Sequence, residues 1–310
     1  TTTELREKLE HGAAALSAWS SQSFGSIRKE LRVLKARLDA MRAEPCRLCP
    51  THAELKVQER IAELNYREEI LWRQRSRIEW LMEGDSNTTF FHRKASTRKK
   101  KNRVEKLVHA DGSLCEDQEE LSKITTEFYK NLYSAEGTVG IEEVLSHIPY
   151  KVSTQMNQQL DAPFCEQEVK DALFQMFPTK APGPDGLPAH FFQKNWDLCR
   201  EEVTVIVLRI LNGEDSLEEI NKTFIVIIRK VSKPTLLSQF RPISLCNMIY
   251  KIVSKVLANC LKLILPEIIS MEQSAFVPGR LITDNVITAY ECLHYMKVKR
   301  GKKNTYCALK

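Results

Sequence analysis

The first part of the chain carries apolar residues at helical spacing. Six of them alternate in steps of three and four between charged positions, as in the seam of packed helices. They are Phe24, Ile27, Leu31, Leu34, Leu38 and Met41. Pro45 and Pro50 interrupt the pattern, which then resumes more loosely from Val57 to Ile78. We expect an antiparallel helical hairpin within residues 1–88, acting as a spacer or packing arm. A coiled coil that binds a partner is the alternative.

A second region, residues 89–160, shows the signal of a small β-hairpin. Asp111-Gly112 lies between two short stretches, RVEKLVHA and SLCED, and this dipeptide favours a tight turn. Helices are expected around Glu119–Tyr133 and Ile141–Ile148. Asp85, Ser86 or Asn87 is predicted to cap a short helix just before this region.

The third region, residues 161–310, has a mixed pattern. The β-branched run KTFIVIIRK is typical of a buried strand, and FRPISL is predicted to pair with it. Three helices are expected, in EQEVKDALFQMF, NMIYKIVSKVLANCLKLIL and LITDNVITAYECLHYMK. The first is ended by KAPGPDG, and a further strand begins in NTYCALK. The fold class predicted for the whole chain is therefore α+β.

Charge is informative here through its distribution. The excess of 46 basic over 40 acidic residues gives only +6, too mild a value to indicate nucleic acid. However, seven basic residues fall within eleven positions: Arg93, Lys94, Arg98, Lys99, Lys100, Lys101 and Arg103. Such density attracts a phosphate backbone through counterion release. A solvated face and a nuclear localisation signal are alternatives. Phe90, Phe91 and His92 stack on bases or belong to the core.

The sequence does not favour a membrane protein, a secreted protein, a disulfide framework or a metal site. There is no apolar run of the roughly 20 residues that span a membrane, and the N-terminus lacks a signal peptide. Nine scattered cysteines favour free thiols in a reducing nucleus or cytosol. Cys46 and Cys49, with His52 nearby, suggest a zinc knuckle, but no fourth ligand lies close by. No metal-ligating residue is predicted, and the N-terminus without Met suggests part of a longer protein.

Five segments in a fixed order resemble one family. WRQRSRIEWLMEGDSNTTFFHRKASTRKKKN is similar to the linker between endonuclease and polymerase in plant-type LINE proteins. KAPGPDGLPAHFFQ resembles the opening of their polymerase domain. TFIVIIRK and SQFRPISLCNMIYKIVSKVLANCLK resemble the two finger motifs, and QSAFVPGRLITDN the motif ahead of the catalytic strand. The chain thus resembles the reverse transcriptase of a non-LTR retrotransposon over nearly its whole length.

The resemblance implies the partial fingers and palm of a right-hand polymerase after the helical hairpin. It also implies RNA-directed DNA synthesis with two Mg²⁺ ions held by aspartates. Those aspartates belong to motifs like LDMxKAYD and FADD, neither of which occurs in the 310 residues. No catalytic residue is therefore predicted, and the chain by itself is expected to bind nucleic acid and deoxynucleoside triphosphates without polymerising. The implied partners are RNA and DNA, in the nucleus or cytoplasm.

The resemblance also assigns individual residues. Arg241 matches the finger arginine that holds the incoming triphosphate, a role suited to a bidentate guanidinium, and Lys230 matches a second cation. Arg229 stands where the family usually has Pro, which either shifts the strand end or adds a cation. Template or primer contacts are expected from four residues, although Asp284 could instead cap a helix or pair locally. They are Gln273, Arg280, Asp284 and Asn285.

Two other functions remain open from the sequence. One is a non-catalytic RNA-binding remnant that uses the basic segment. The other is an interaction protein that acts through the helical hairpin. Asp185, in KAPGPDG, is interpreted as a turn former rather than a metal ligand.

Overall fold

The computed structural model describes residues 2–43, 49–76, 88–109, 112–135, 137 and 140–298. The helices are α1 (Thr2–Phe24), α2 (Ile27–Arg42), α3 (His52–Ser76), α4 (Thr88–Asn102), α5 (Gln118–Leu132), α6 (Ile141–Ser146), α7 (Thr154–Leu160), α8 (Glu166–Phe174), α9 (Ala189–Lys194), α10 (Trp196–Leu211), α11 (Met248–Lys262), α12 (Leu265–Ile268) and α13 (Ile282–Val298). The strands are β1 (Leu107–Val108), β2 (Leu114–Cys115), β3 (Thr223–Arg229) and β4 (Phe240–Cys246). They form two antiparallel two-stranded sheets, so the α+β class is confirmed.

The chain divides into two compact units that interleave along the sequence. One contains Thr1–Glu136, Phe177–Trp196 and Ser216–Met248, and the other the remaining segments. The boundaries predicted near residues 88 and 160 stay a prediction. The cap at residues 85–87 and the strand expected in NTYCALK lie outside the described residues. None of the described helices is long and apolar enough to cross a membrane.

Helices α2 and α3 pack along the predicted apolar seam. Leu31 and Leu38 of α2 are buried, as are Val57 and Leu64 of α3. Helix α2 begins where the Ser26 hydroxyl accepts a hydrogen bond from the Lys29 N–H.

Ion pairs show the relative direction of these two helices. Arg28, near the start of α2, pairs with Glu68 late in α3 at 3.3 Å. Arg42, at the end of α2, pairs with Glu54 early in α3, also at 3.3 Å. The helices are therefore antiparallel, as the interrupted seam predicts.

The small hairpin β1–β2 and helix α5 share a core with the second sheet. Gly112 provides the positive φ of 87° that the turn needs, while Asp111 lies outside the described residues. Helix α5 is capped by Asp117, whose carboxylate accepts hydrogen bonds from the N–H groups of Glu119 and Glu120. The buried members of this core are Leu107, Cys115, Leu121, Tyr129, Leu237 and Phe240. The hairpin and helix expected here are both confirmed.

Strands β3 and β4 pair in full antiparallel register, from Thr223 opposite Cys246 to Arg229 opposite Phe240. The predicted pairing of the two runs is thus confirmed, but the expected burial of the first is wrong. Phe224, Ile225 and Val226 are each more than 40% exposed. A sheet of two strands has no flanking strand, and the described residues cover its faces only in part. The β-branched composition correctly predicts that a strand forms, but it does not predict whether that strand is buried.

The KAPGPDG segment packs closely against the end of β4 and the start of α11. A Cβ added to Gly183 would lie 2.3 Å from the carbonyl oxygen of Cys246, so only glycine fits. Asp185 accepts a hydrogen bond from the Met248 N–H at 2.7 Å and donates its own N–H to Asn247. The segment is therefore structural, as its turn residues indicate, and it also caps α11.

The second unit is helical in its described part. Helices α8, α10 and α11 each bury apolar residues at helical spacing, among them Val169, Leu173, Val203, Val207, Ile252 and Val256. The predicted long helix ends at Lys262, four residues before Pro266, which lies in the first turn of α12. Helix α13, expected as an amphipathic helix, has no buried residue.

Candidate nucleic-acid and nucleotide-binding site

Helix α4 carries the basic segment and is anchored to α2 and α3 through aromatic residues. Phe91 is only 2% exposed. The His92 ring lies 4.1 Å from the Trp72 ring between centroids, and His92 Nε2 is 2.6 Å from Arg28 Nη2. Arg28 and Arg75 also lie over the Trp72 ring, at 5.4 and 5.3 Å. One side of α4 is thereby fixed.

This packing distinguishes between base stacking and a core role for the aromatic residues ahead of the basic segment. Because Phe91 is buried and His92 packs on Trp72, these two side chains serve the core in this conformation. Phe90 is half-buried and lies 5.8 Å from the Lys94 ammonium. Base stacking by Phe91 is excluded in this conformation.

The basic residues of α4 point to solvent. Arg93, Lys94, Arg98, Lys99, Lys100 and Lys101 are all exposed, and so is Arg103 just beyond the helix. Among the described residues, no carboxylate forms an ion pair with any of these seven. Arg98 donates to the carbonyl oxygen of Ser76 at 3.3 Å. The last turn holds three lysines, where the helix dipole favours positive charge. The result is an exposed cationic surface, called the α4 basic surface below.

The β3–β4 sheet brings Lys230 and Arg241 to one end. Arg241 lies opposite Ile228 in the register, and the Lys230 N–H still pairs with the Gln239 carbonyl at 2.8 Å. Residues opposite one another, and residues two apart on a strand, share a face. Lys230 and Arg241 are therefore diagonal neighbours on one face.

The two cations differ in how far they are already engaged. The Lys230 ammonium donates to the Ser238 carbonyl oxygen at 2.8 Å. Arg241 is exposed, and no hydrogen bond or ion pair joins its guanidinium to another described residue. Arg241 is thus the better placed of the two to receive an anion.

Arg229, at the position where the family usually has proline, takes part in the sheet and makes a long-range contact. Backbone pairing continues through Arg229 to Lys230, so Arg229 belongs to the strand and the sheet extends past it. The Arg229 guanidinium donates to the carbonyl oxygen of Arg103 at 2.5 Å. Arg229 therefore ties the end of β3 to the residue that follows α4. Sequence reasoning missed this contact, since 126 positions separate the two residues.

The four residues assigned to template or primer contacts lie together in the second unit, where two of them make local contacts. Arg280 donates four hydrogen bonds to carbonyl oxygens, those of Pro266, Ile269, Ser270 and Gln273. Asn285 donates to the carbonyl oxygen of Glu272 at 3.0 Å. Asp284 lies in the first turn of α13, a position that suits a carboxylate.

These contacts organise the turn before α13. With four of its five N–H groups occupied, Arg280 serves this turn in the present conformation. The pKa of the nearby Glu272 carboxyl is lowered, first by a hydrogen bond from its own backbone N–H and then by the Ser270 hydroxyl. Contact of these four residues with nucleic acid stays a prediction.

The described residues do not fit the Mg²⁺ pair that the resemblance implies. Hard cations such as Mg²⁺ take oxygen ligands, chiefly carboxylates. Across the part of the chain that the structure describes, no three carboxylates lie close enough to share an ion. Asp185 is occupied at the start of α11.

Comparison with known proteins gives one informative relative. The chain is similar to a Xenopus laevis protein described as "Transposon TX1 uncharacterized 149 kDa protein", with 32% identity over 227 residues. The chain is related to a transposon protein. The match covers 72% of this chain but 17% of the relative, so this chain corresponds to a small part of that protein. No protein-family model matches the chain.

Proposed function

We propose that this chain is part of a LINE-type retrotransposon reverse transcriptase and contributes its substrate-binding side. The relationship to a transposon protein supports the origin. The order of the polymerase-like segments supports the enzyme class. In this proposal the α4 basic surface holds the backbone of RNA or DNA, and Arg241 with Lys230 holds the triphosphate of the incoming nucleotide.

The observation that carries the proposal is the contact between Arg229 and Arg103. It fixes the end of β3 beside the end of α4, so the two sets of cations lie in one unit. A polymerase needs the template strand and the incoming triphosphate close together. Both ligands are polyanions, and Arg binds their phosphates bidentately while Lys acts as a point charge.

Charge compensation supports the same assignment. An exposed cation that is paired with a carboxylate is already neutralised and binds a phosphate weakly. The cations of the α4 basic surface have no carboxylate partner among the described residues. Neutralisation of phosphates by these side chains releases counterions, which gives affinity without sequence recognition.

Fluorescence anisotropy with labelled single-stranded RNA tests the binding function. We expect the logarithm of the binding constant to fall linearly with that of salt concentration between about 50 and 200 mM, with a slope of roughly −0.7 per phosphate contact. A homopolymer and a mixed sequence of equal length should bind alike, because the contacts are to the backbone. Absence of binding at low salt, or a slope near zero, contradicts the proposal.

A further inference from the structure

Three side chains of different chemistry converge where the β1–β2 hairpin meets α5. They are His109, directly after β1, Cys115 in β2 and Glu120 in the first turn of α5. One ligand atom of each residue, a ring nitrogen, the sulfur and a carboxylate oxygen, lies within 4.8 Å of the other two. Cys115 is 6% exposed, His109 half-buried and Glu120 exposed, so the cluster runs from core to surface.

We propose that His109, Cys115 and Glu120 form a zinc site with a water as the fourth ligand. Zinc is bound by Cys sulfur at about 2.3 Å, His nitrogen at about 2.0 Å and carboxylate oxygen at about 2.1 Å. A tetrahedral ion at such bond lengths needs ligand atoms roughly 3.3–3.6 Å apart, inside the 4.8 Å limit within which these three atoms lie. The exposed Glu120 side chain is free to rotate inward and bring its carboxylate to this spacing.

The ligand set selects the metal. A sulfur and an imidazole disfavour Mg²⁺ and Ca²⁺, which take oxygen, and suit Zn²⁺. Binding replaces the thiol S–H bond by a sulfur–zinc bond and releases the proton to solvent. The thiol then gives up its weak hydrogen bond to the Asp117 carbonyl oxygen, at 3.8 Å. Among the described residues, no hydrogen bond engages the His109 ring or the Glu120 carboxylate.

Local structure holds the three ligands in place without the metal. The His109 N–H donates to Ser113 at 2.8 Å, which fixes the hairpin turn, and Leu107 pairs with Cys115 across the sheet. Asp117 caps α5 and so positions Glu120. The ion ties the hairpin to the start of α5, beside the core shared with β4. Its role is structural.

Cobalt substitution tests the site. The full chain is stripped of metal under reducing conditions and titrated with Co²⁺, then with Zn²⁺. We expect one ion per chain, visible bands of tetrahedral cobalt and a near-ultraviolet thiolate-to-cobalt band, all displaced by Zn²⁺. Cys115→Ala should abolish the thiolate band. Glu120→Ala, at an exposed position, should weaken Zn²⁺ at least ~10-fold, since even outer partners of a metal contribute about 10–100-fold.

Control variants separate this site from other thiols. Cys165→Ser and Cys49→Ser change exposed cysteines and should leave the thiolate band intact. Cys49→Ser also tests the zinc knuckle considered for Cys46 and Cys49. Loss of the band in Cys49→Ser, its survival in Cys115→Ala, or no tight Co²⁺ binding by the unaltered chain would each overturn the proposal. Glu120→Ala leaves the core intact, so an unchanged zinc affinity in this variant would also overturn the proposal.

Discussion

The α2–α3 hairpin and helix α4 are both rich in basic residues, but they use their charge differently. In the hairpin, arginines pair with glutamates: Arg28 with Glu68, Arg42 with Glu54, Arg60 with Glu30 and Glu63, and Arg67 with Glu63. Helix α4 has six basic residues and no acidic one. Three of the hairpin pairs, those that involve Glu68, Glu54 and Glu30, join α2 to α3, whereas a cluster of cations on a helix without carboxylates is available to a polyanion. The distribution of carboxylates, rather than the count of cations, distinguishes the α2–α3 hairpin from the proposed binding surface on α4.

The largest expected effect concerns the anchoring of α4. Phe91→Ala should lower the free energy of unfolding by about 3–5 kcal/mol, because it removes a fully buried ring. Urea denaturation followed by circular dichroism measures this loss. Phe90→Ala, at a half-buried position, is the matched control and should cost much less. If Phe91→Ala instead leaves stability intact and weakens RNA binding, the ring stacks on bases and does not anchor α4 to the core.

The next effect tests whether hairpin charge is structural. Arg42→Ala leaves the Glu54 carboxylate, in a residue that is 1% exposed, without its guanidinium partner. We expect a loss of about 1–3 kcal/mol in the free energy of unfolding. Arg37→Ala, an exposed position on the same helix, should change it by less than about 0.5 kcal/mol. Equal effects of the two substitutions would remove the distinction between paired and unpaired arginines.

A third test extends the comparison to the β3–β4 sheet. Arg241 is unpaired among the described residues, as are the cations of α4, so its charge should serve a ligand rather than the fold. In an enzyme that includes the catalytic motifs, Arg241→Ala should raise KM for deoxynucleoside triphosphates about 10- to 100-fold. This factor corresponds to the loss of one hydrogen bond to a charged group. Lys222→Gln, at the other end of the sheet, is the control. Unaltered KM in Arg241→Ala contradicts the assignment.

The smallest effect is the acid sensitivity of the hairpin. The pKa of the Glu63 carboxyl is lowered, first by a hydrogen bond from Arg60 and also by Arg67. A lowered folded-state pKa adds stability above the ordinary value of about 4.3, and this is lost as pH falls through the folded value. The gap in urea midpoint between the unaltered chain and Glu63→Gln should therefore shrink on acidification. A constant gap would show that the pair adds nothing.

Local features of the fold could be predicted from the sequence because they depend on neighbours along the chain. The apolar seam of α2 and α3, the turn at Gly112 and the pairing of β3 with β4 all follow from spacing and turn residues. The same reasoning found the basic segment. The prediction that β3 is buried was wrong because composition does not reveal how many strands a sheet will have.

Long-range contacts could not be predicted in this way. The cap that Asp185 gives Met248, and the close approach of Gly183 to Cys246, join residues more than 60 positions apart. The occupied guanidinium of Arg280 depends on how a turn folds back on itself. The convergence of His109, Cys115 and Glu120 follows no familiar ligand spacing, so only the folded hairpin brings it to light.

We propose that the position of the α4 cations, not their number, makes this helix a nucleic-acid surface. Two variants with the same change in net charge test it: the triple Lys→Gln substitution at Lys99, Lys100 and Lys101, and that at the exposed Lys29, Lys35 and Lys56 of the hairpin. The measurement is the salt dependence of RNA binding. The α4 variant should flatten the slope by up to about 2, and the hairpin variant should leave it unchanged. Equal slopes for the two variants would show that the α4 cations contact RNA no more than those of the hairpin do.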